Sequence, residues 1–196
     1  CMSALMMFNR SRAEAVQQHT GKADVRLVFG EGQAHAPLLM WVGEAPGEQE
    51  ERQLRPFVGK AGANLDELLR VMGINRDQIY ITNVVKYRPC SKGPTGRLRN
   101  RPPTADEITL FAPWLFEEIA LVSPRYLVTL GNTPLQALLG REARVGDMHG
   151  QWQLWRGIPL YPMYHPAAVI YRRELAEVCQ QDAQALAHFL QKHNEY

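Results

Sequence analysis

The sequence predicts an α/β fold in which a mainly parallel sheet lies between layers of helix. Short, nearly all-apolar runs rich in β-branched residues recur along the chain, as expected of strands covered on both faces. Between these runs the apolar residues switch to helical spacing, so strand-like and helix-like segments alternate. Length sets the scale: 196 residues fit one domain, spanning 1–196, with a core that needs no disulfide or metal staple.

The first strands read as "VRLVFG" from Val25 and "APLLMWVG" from Ala36. A helix follows from Ala61 to Met72, where Leu65, Leu68 and Leu69 recur on one face. "IYITNVV" from Ile79 is the next strand, followed by a helix from Ala105 to Leu121. "RYLVTLG" from Arg125 leads into a helix from Thr133 to Leu139. "QWQLWRGIPLYPMY" reads as a hairpin turning at Arg156 and Gly157, and its second arm opens the apolar run "IPLYPMYHP" from Ile158. A last helix is expected from Ala167 to Lys192.

Composition excludes some classes of function. With 45% hydrophobic and 21% charged residues, and no apolar run near the roughly eighteen a membrane span needs, a soluble protein is expected. The opening "CMSALMMFNRSRAEAV" lacks the signature of a signal peptide, so the expected location is cytoplasmic. Cys1, Cys90 and Cys179 are an odd, scattered set that suits free thiols. No histidine stands at zinc-ligand spacing from a cysteine, so no metal site is expected. The net charge of +2 identifies no partner, but its distribution is uneven. Lys86, Arg88, Lys92, Arg97, Arg99 and Arg101 follow one another with no acid between them. Such a loop either grips phosphate or forms a solvated face.

Three strands carry distinctive motifs at their carboxyl ends, where an α/β sheet opens its ligand crevice. In "WVGEAPGEQE", Gly43, Pro46 and Gly47 suit a tight turn that presents backbone N–H groups and Glu44, although an ordinary turn with a solvated glutamate has the same pattern. "TNVVKYRP" places Asn83 inside an apolar strand, where either backbone or ligand must pair its amide. "YHPAAV" ends a third strand with His165, a hydrogen-bond or proton donor near neutral pH. In "RPFVGKAGANLDELL", Phe57 precedes a helix and either stacks on a flat ligand or plugs the core.

In this order "GEAPGEQE", "RPFVGKAG", "YITNVVKYRP" and "YHPAAV" resemble the uracil-DNA glycosylase superfamily, and most of all its iron-sulfur family, often called family four. The resemblance implies a three-layer α/β/α sandwich around a central, mainly parallel four-stranded sheet. It also implies hydrolysis of the bond between uracil, or another deaminated base, and deoxyribose, after the base is flipped from the stack. Carried over by motif, Glu44 would position the attacking water and His165 would stabilise the departing base. Asn100, paired with Arg101, would lie near the sugar. Gly43, Ala45, Gly47, Phe57 and Asn83 would form the base pocket, with Phe57 stacking and Asn83 reading the base edge. Glycine at 47 would leave the pocket unscreened against 5-methyl groups. Lys86, Arg88, Lys92, Arg97, Arg99 and Arg101, extended by Arg172 and Arg173, would hold the DNA backbone without reading sequence. The partner is then DNA containing a deaminated base, with no membrane involved, and the protein is expected to be a monomer. Ala167 to Ile170 stand in the place of the superfamily's intercalating loop, with few apolar wedges.

The resemblance fails at the iron-sulfur ligands. The four cysteine positions read Cys1, Ala4, Tyr87 and Phe111 here, so the expectation is no cluster, with Tyr87 and Phe111 filling its volume. One branch of the superfamily captures the sugar with a loop histidine; the nearest counterpart here is Asn100, so turnover is expected. Two further readings stand beside this one. One is a non-catalytic module of the same fold that binds damaged or single-stranded DNA. The other is a small-molecule hydrolase or nucleotide enzyme on a generic α/β sheet, which leaves the acid-free basic loop unexplained.

Overall fold

Every residue from Leu39 to Gly43 is buried, so this strand requires an apolar layer on each face. Leu39 and Trp41 enter one core, and Met40 and Val42 enter the other. The computed structural model describes residues 3–193. Its elements are α1 (Ala4–Thr20), β1 (Glu31–Gly32), β2 (Leu39–Gly43), α2 (Glu48–Gln53), α3 (Lys60–Met72), β3 (Tyr80–Asn83), β4 (Cys90–Lys92), β5 (Leu98–Asn100), α4 (Ala105–Val122), β6 (Tyr126–Leu130), α5 (Asn132–Leu139), α6 (Val145–Met148), β7 (Gln153–Trp155), β8 (Ile158–Met163), α7 (Ala168–Tyr171) and α8 (Leu175–Lys192).

The main sheet runs β1-β3-β2-β6-β8-β7. Its inner four strands are parallel, and β1 and β7 pair antiparallel at the edges. The expected sheet of four is therefore the parallel centre of a sheet of six. Helices α3 and α8 cover one face; α1, α4 and α5 contribute to the core on the other. The β7–β8 hairpin turns at Arg156 and Gly157, both at positive φ (47° and 83°), the two-residue turn whose twist matches that of the strands.

Two local expectations change. Residues 25–30 form no strand: Val28 donates its N–H to the Lys86 carbonyl at 2.7 Å, beyond the end of β3, and only Glu31 and Gly32 join the sheet. The last helix is broken between α7 and α8, where Arg172 is extended (φ −130°, ψ 90°) and the exposed run Arg172–Arg173–Glu174 interrupts the apolar stripe. Helix α1 is an addition. Its buried stripe is thin, only Asn9 and Val16, and it is tied to α4 by the Trp114 indole N–H donating to Asn9 Oδ1 at 3.0 Å.

Beyond β3 the chain is fixed by a buried charged group. Lys86 Nζ, with no exposed surface, donates to Glu118 Oε1 at 2.8 Å, to Thr82 Oγ1 at 2.9 Å and to the Asn83 carbonyl. The other carboxylate oxygen of Glu118 accepts from the Tyr80 hydroxyl at 2.7 Å. Burial pushes the Lys86 ammonium below its ordinary range, and Glu118 opposes that shift.

Removing one member of such a pair strands the other without compensation. Lys86→Met is expected to destabilise the fold by about 3–5 kcal/mol in urea denaturation, and a loss within 1 kcal/mol would contradict the role described.

Candidate active site

The carboxyl ends of β2, β3 and β8 bring the motifs to one edge of the sheet. Ala45, Gly47, Phe57, Asn83, Asn100 and His165 line one cavity of about 330 Å³ there. Gly43 lies under its floor. A Cβ at Gly43 would fall 2.5 Å from both Asn83 Oδ1 and Phe57 Cζ, so only glycine lets the ring and the amide meet over this backbone.

Phe57 is buried and sits at φ 51°, a conformation unusual for a non-glycine residue. Arg76 holds it there, with one guanidinium nitrogen donating to the Phe57 carbonyl at 2.6 Å and another to the Pro56 carbonyl. Gly62 lies directly beneath, its absent Cβ 2.1 Å from the Phe57 oxygen. The Phe57 ring therefore packs into the core and also lines the cavity, so stacking and plugging coincide.

Asn83 is almost fully buried, and its Oδ1 accepts from no group among the described residues. A buried acceptor left unpaired costs on the order of 1–3 kcal/mol, a cost that a ligand N–H would remove. The His165 ring lies 5.8 Å from that of Phe57, inclined at 33°. Its Nδ1 accepts from the Ala167 N–H at 3.0 Å, which puts the proton of a neutral ring on Nε2. Burial pushes the imidazole down to about 4, with Glu50 pulling the other way. His165 is thus a neutral hydrogen-bond donor at pH 7.

Glu44 does not line this cavity. It lies in an adjoining one of about 540 Å³, which shares His165 and Ala167 with the first and also includes Arg172. Its Oε2 accepts from the Thr133 hydroxyl at 2.5 Å. Glu50, which sequence reading passed over, staples the site's two loops together. One carboxylate oxygen accepts from Gly47 N–H at 3.0 Å, and the other accepts from Val58 and Gly59 at 2.9 and 2.7 Å. The Gly47-x-x-Glu50 capping spacing was its signal in the sequence.

The basic loop is a hairpin, β4 paired with β5, and it sorts the cations. Lys86 is corrected outright: with no exposed surface and with Glu118 as partner, it cannot meet DNA. Arg88 has only 6% of its side chain exposed; it donates to Asn100 Oδ1 at 2.7 Å and so orients that side chain. Arg101 grips Glu107 through two contacts, at 2.6 and 3.2 Å. Lys92, Arg97 and Arg99 are exposed on the hairpin, as are Arg172 and Arg173 after α7, with Arg172 paired to Glu174 at 3.0 Å.

A four-thiolate cluster does not fit the residues present. Cys1 lies outside the described residues; Cys90 and Cys179 are free, and no group of three or more metal-binding side chains is found among the described residues. At the other ligand positions the Tyr87 ring meets Phe111 edge-on at 5.2 Å, and the Tyr87 hydroxyl donates to Glu107 at 2.5 Å.

The chain belongs to the uracil DNA glycosylase superfamily, whose sequence model matches residues 29–191. Among curated proteins it is similar to the Type-4 uracil-DNA glycosylase of Sulfurisphaera tokodaii, 37% identical over 164 residues, 79% of this chain and 70% of that protein. It is also similar to the Type-4 uracil-DNA glycosylase of Thermotoga maritima, 34% identical over 185 residues, 92% and 91% of the two chains. The fold is like that of Pedobacter heparinus SMUG2, with a TM-score of 0.56 over 83% of this chain and 77% of that one, at 11% identity.

His165 is expected to remain neutral, protonated at Nε2, until the pH falls to about 4, as read by 15N NMR of the ring. Because the unfolded ring takes its proton near pH 6.5, acid favours the unfolded state and stability should decline from about pH 6.5 towards 4. In His165→Gln that part of the decline should disappear.

Proposed function

We propose that this chain, acting as a monomer on the single domain 1–196, hydrolyses the N-glycosidic bond of uracil in DNA without a covalent enzyme intermediate. The observation that carries the proposal is the unpaired acceptor of Asn83, buried in a cavity that also holds the Phe57 ring and His165. Uracil offers an N–H beside its carbonyl oxygens, so Asn83 Oδ1 gains the partner it lacks while the ring stacks on Phe57. Water attacks C1′ of the deoxyribose; the C1′–N1 electron pair leaves with the base, and Glu44 in the adjoining cavity orients the water and takes its proton. His165 donates a hydrogen bond from Nε2 to the oxygen on which the charge of the departing base collects. A neutral donor suffices because uracil leaves as a delocalised anion.

Asn100, steered by Arg88, is assigned to the sugar side of the cavity. Gly43, Ala45 and Gly47 supply the backbone wall. Lys92, Arg97, Arg99, Arg172 and Arg173 are assigned to backbone phosphates, and Arg88 and Arg101 to holding the hairpin that presents them. The enzyme is proposed to work without an iron-sulfur cluster, the loop being anchored instead by Tyr87 and Arg101 on Glu107. The chemistry of the side chains at the ligand positions supports this reading.

Base excision from an oligonucleotide containing one uracil, revealed by alkaline cleavage, tests the proposal. Glu44→Ala and His165→Ala should each slow release by about 100- to 1000-fold, the usual loss for one aligned catalytic group. Wild-type protein that binds the strand and releases no base would turn the assignment towards a binding module. Changing Lys92, Arg97 and Arg99 to Ala should each weaken DNA binding whatever its sequence, and each should reduce the slope of log K against log salt by about 1. Purified protein should carry no stoichiometric iron by metal analysis while retaining activity.

A further inference from the structure

We infer that Thr133 is a positioning residue for Glu44, and that the turn Gly131–Asn132–Thr133 sets the spacing between Glu44 and His165. The inference rests on the proposed role of Glu44 in orienting water. Strands β2 and β6 are parallel neighbours with Val42 opposite Thr129, so the segments that leave their carboxyl ends emerge side by side. Glu44 follows β2 directly, and Thr133 lies in the first turn of α5 after β6. The Thr133 hydroxyl donates to Glu44 Oε2 at 2.5 Å. No other hydrogen bond to this carboxylate is found among the described residues. With Oε2 engaged, rotation of the carboxylate is restrained and Oε1 is left to hold a water.

The same turn touches the other assigned group. Gly131 has φ 86°, its N–H donates to the Met163 carbonyl at 2.8 Å, and a Cβ on it would lie 3.1 Å from His165 Cβ. Between them Asn132 Oδ1 accepts from the Val145 N–H at 2.8 Å, which anchors the turn to α6. Three consecutive residues therefore leave room for His165, bind the scaffold and engage Glu44. The sequence reading gave none of them a role at the site.

The test is single-turnover uracil excision by Thr133→Val, which keeps the shape and removes the donor, with Thr133→Ala as a second variant if the first folds poorly. The expected result is a rate lowered by about 10- to 100-fold, the range for a hydrogen bond to a charged group. DNA affinity should stay within about twofold and Thr133→Ser should recover most of the rate. In a Glu44→Ala background, Thr133→Val should change the rate less than about twofold, because the two residues act as one unit. A full wild-type rate in Thr133→Val beside a slow Glu44→Ala would overturn this inference and leave the assignment of Glu44 standing. A fast Glu44→Ala would overturn both. Equal losses from Thr133→Val with and without Glu44 would show that Thr133 acts elsewhere.

Discussion

A buried ammonium fixes the site. Lys86 must find acceptors inside a core that offers few, and it finds Glu118 on α4, Thr82 on β3 and the carbonyl of Asn83. The chain therefore has little freedom after Asn83. In the same stretch Val84 and Val85 donate their N–H groups to the carbonyls of Gly43 and Glu44, at 2.9 and 3.0 Å. The segments bearing Asn83 and Glu44 are thus held to each other by backbone and locked to α4 by charge. A well-packed apolar pair would serve stability as well or better. What the ion pair adds is direction, since an ammonium with three donors takes only one arrangement of these acceptors.

The same principle explains what the sequence disclosed and what it concealed. The four parallel strands and the hairpin turn at Arg156 and Gly157 were legible because periodicity and turn chemistry are local. The gathering of Asn83, Phe57 and His165 at one edge was legible because strand ends converge in any such sheet. The six cations of the basic loop were not separable, because what distinguishes them is a carboxylate brought from elsewhere. Glu118 claims Lys86, Glu107 claims Arg101, and Glu51 faces Arg88 at 3.8 Å. Only tertiary structure decides which positive charges are left for a polyanion. Thr133 was concealed for the same reason: its partner lies 89 residues away in sequence.

Glu107 shows how a loop can be held without thiolates. Tyr87 at the entry of the hairpin and Arg101 at its exit meet on this one carboxylate, which also accepts from the Thr104 N–H at the start of α4. Burial works against its charge, yet Arg101, Thr104 and Tyr87 together hold Glu107 down to about 2. Behind it Tyr87, Phe111 and Trp114 pack in sequence, edge-on and then tilted, with centroids 5.2 and 5.8 Å apart. Both ends of the hairpin are therefore tied to one helix, and the exposed cations at its tip ride on a fixed base.

Two carboxylates in the first motif divide the labour of the site by how many donors each receives. Glu50 takes three backbone N–H groups, and Glu44 takes one hydroxyl. For a reaction in which an anion departs into the cavity, an unquenched carboxylate on its wall would be a barrier, since like charges in a poorly solvated site repel strongly. Glu50 lines that wall. Its three donors spread its charge into the backbone and make it a staple, and Glu44 stands in the other cavity, with His165 lining both. In the proposed mechanism that separation would let one short loop carry two acids beside a leaving anion, Glu50 holding the shape of the pocket through its three backbone donors and Glu44 assigned to the water.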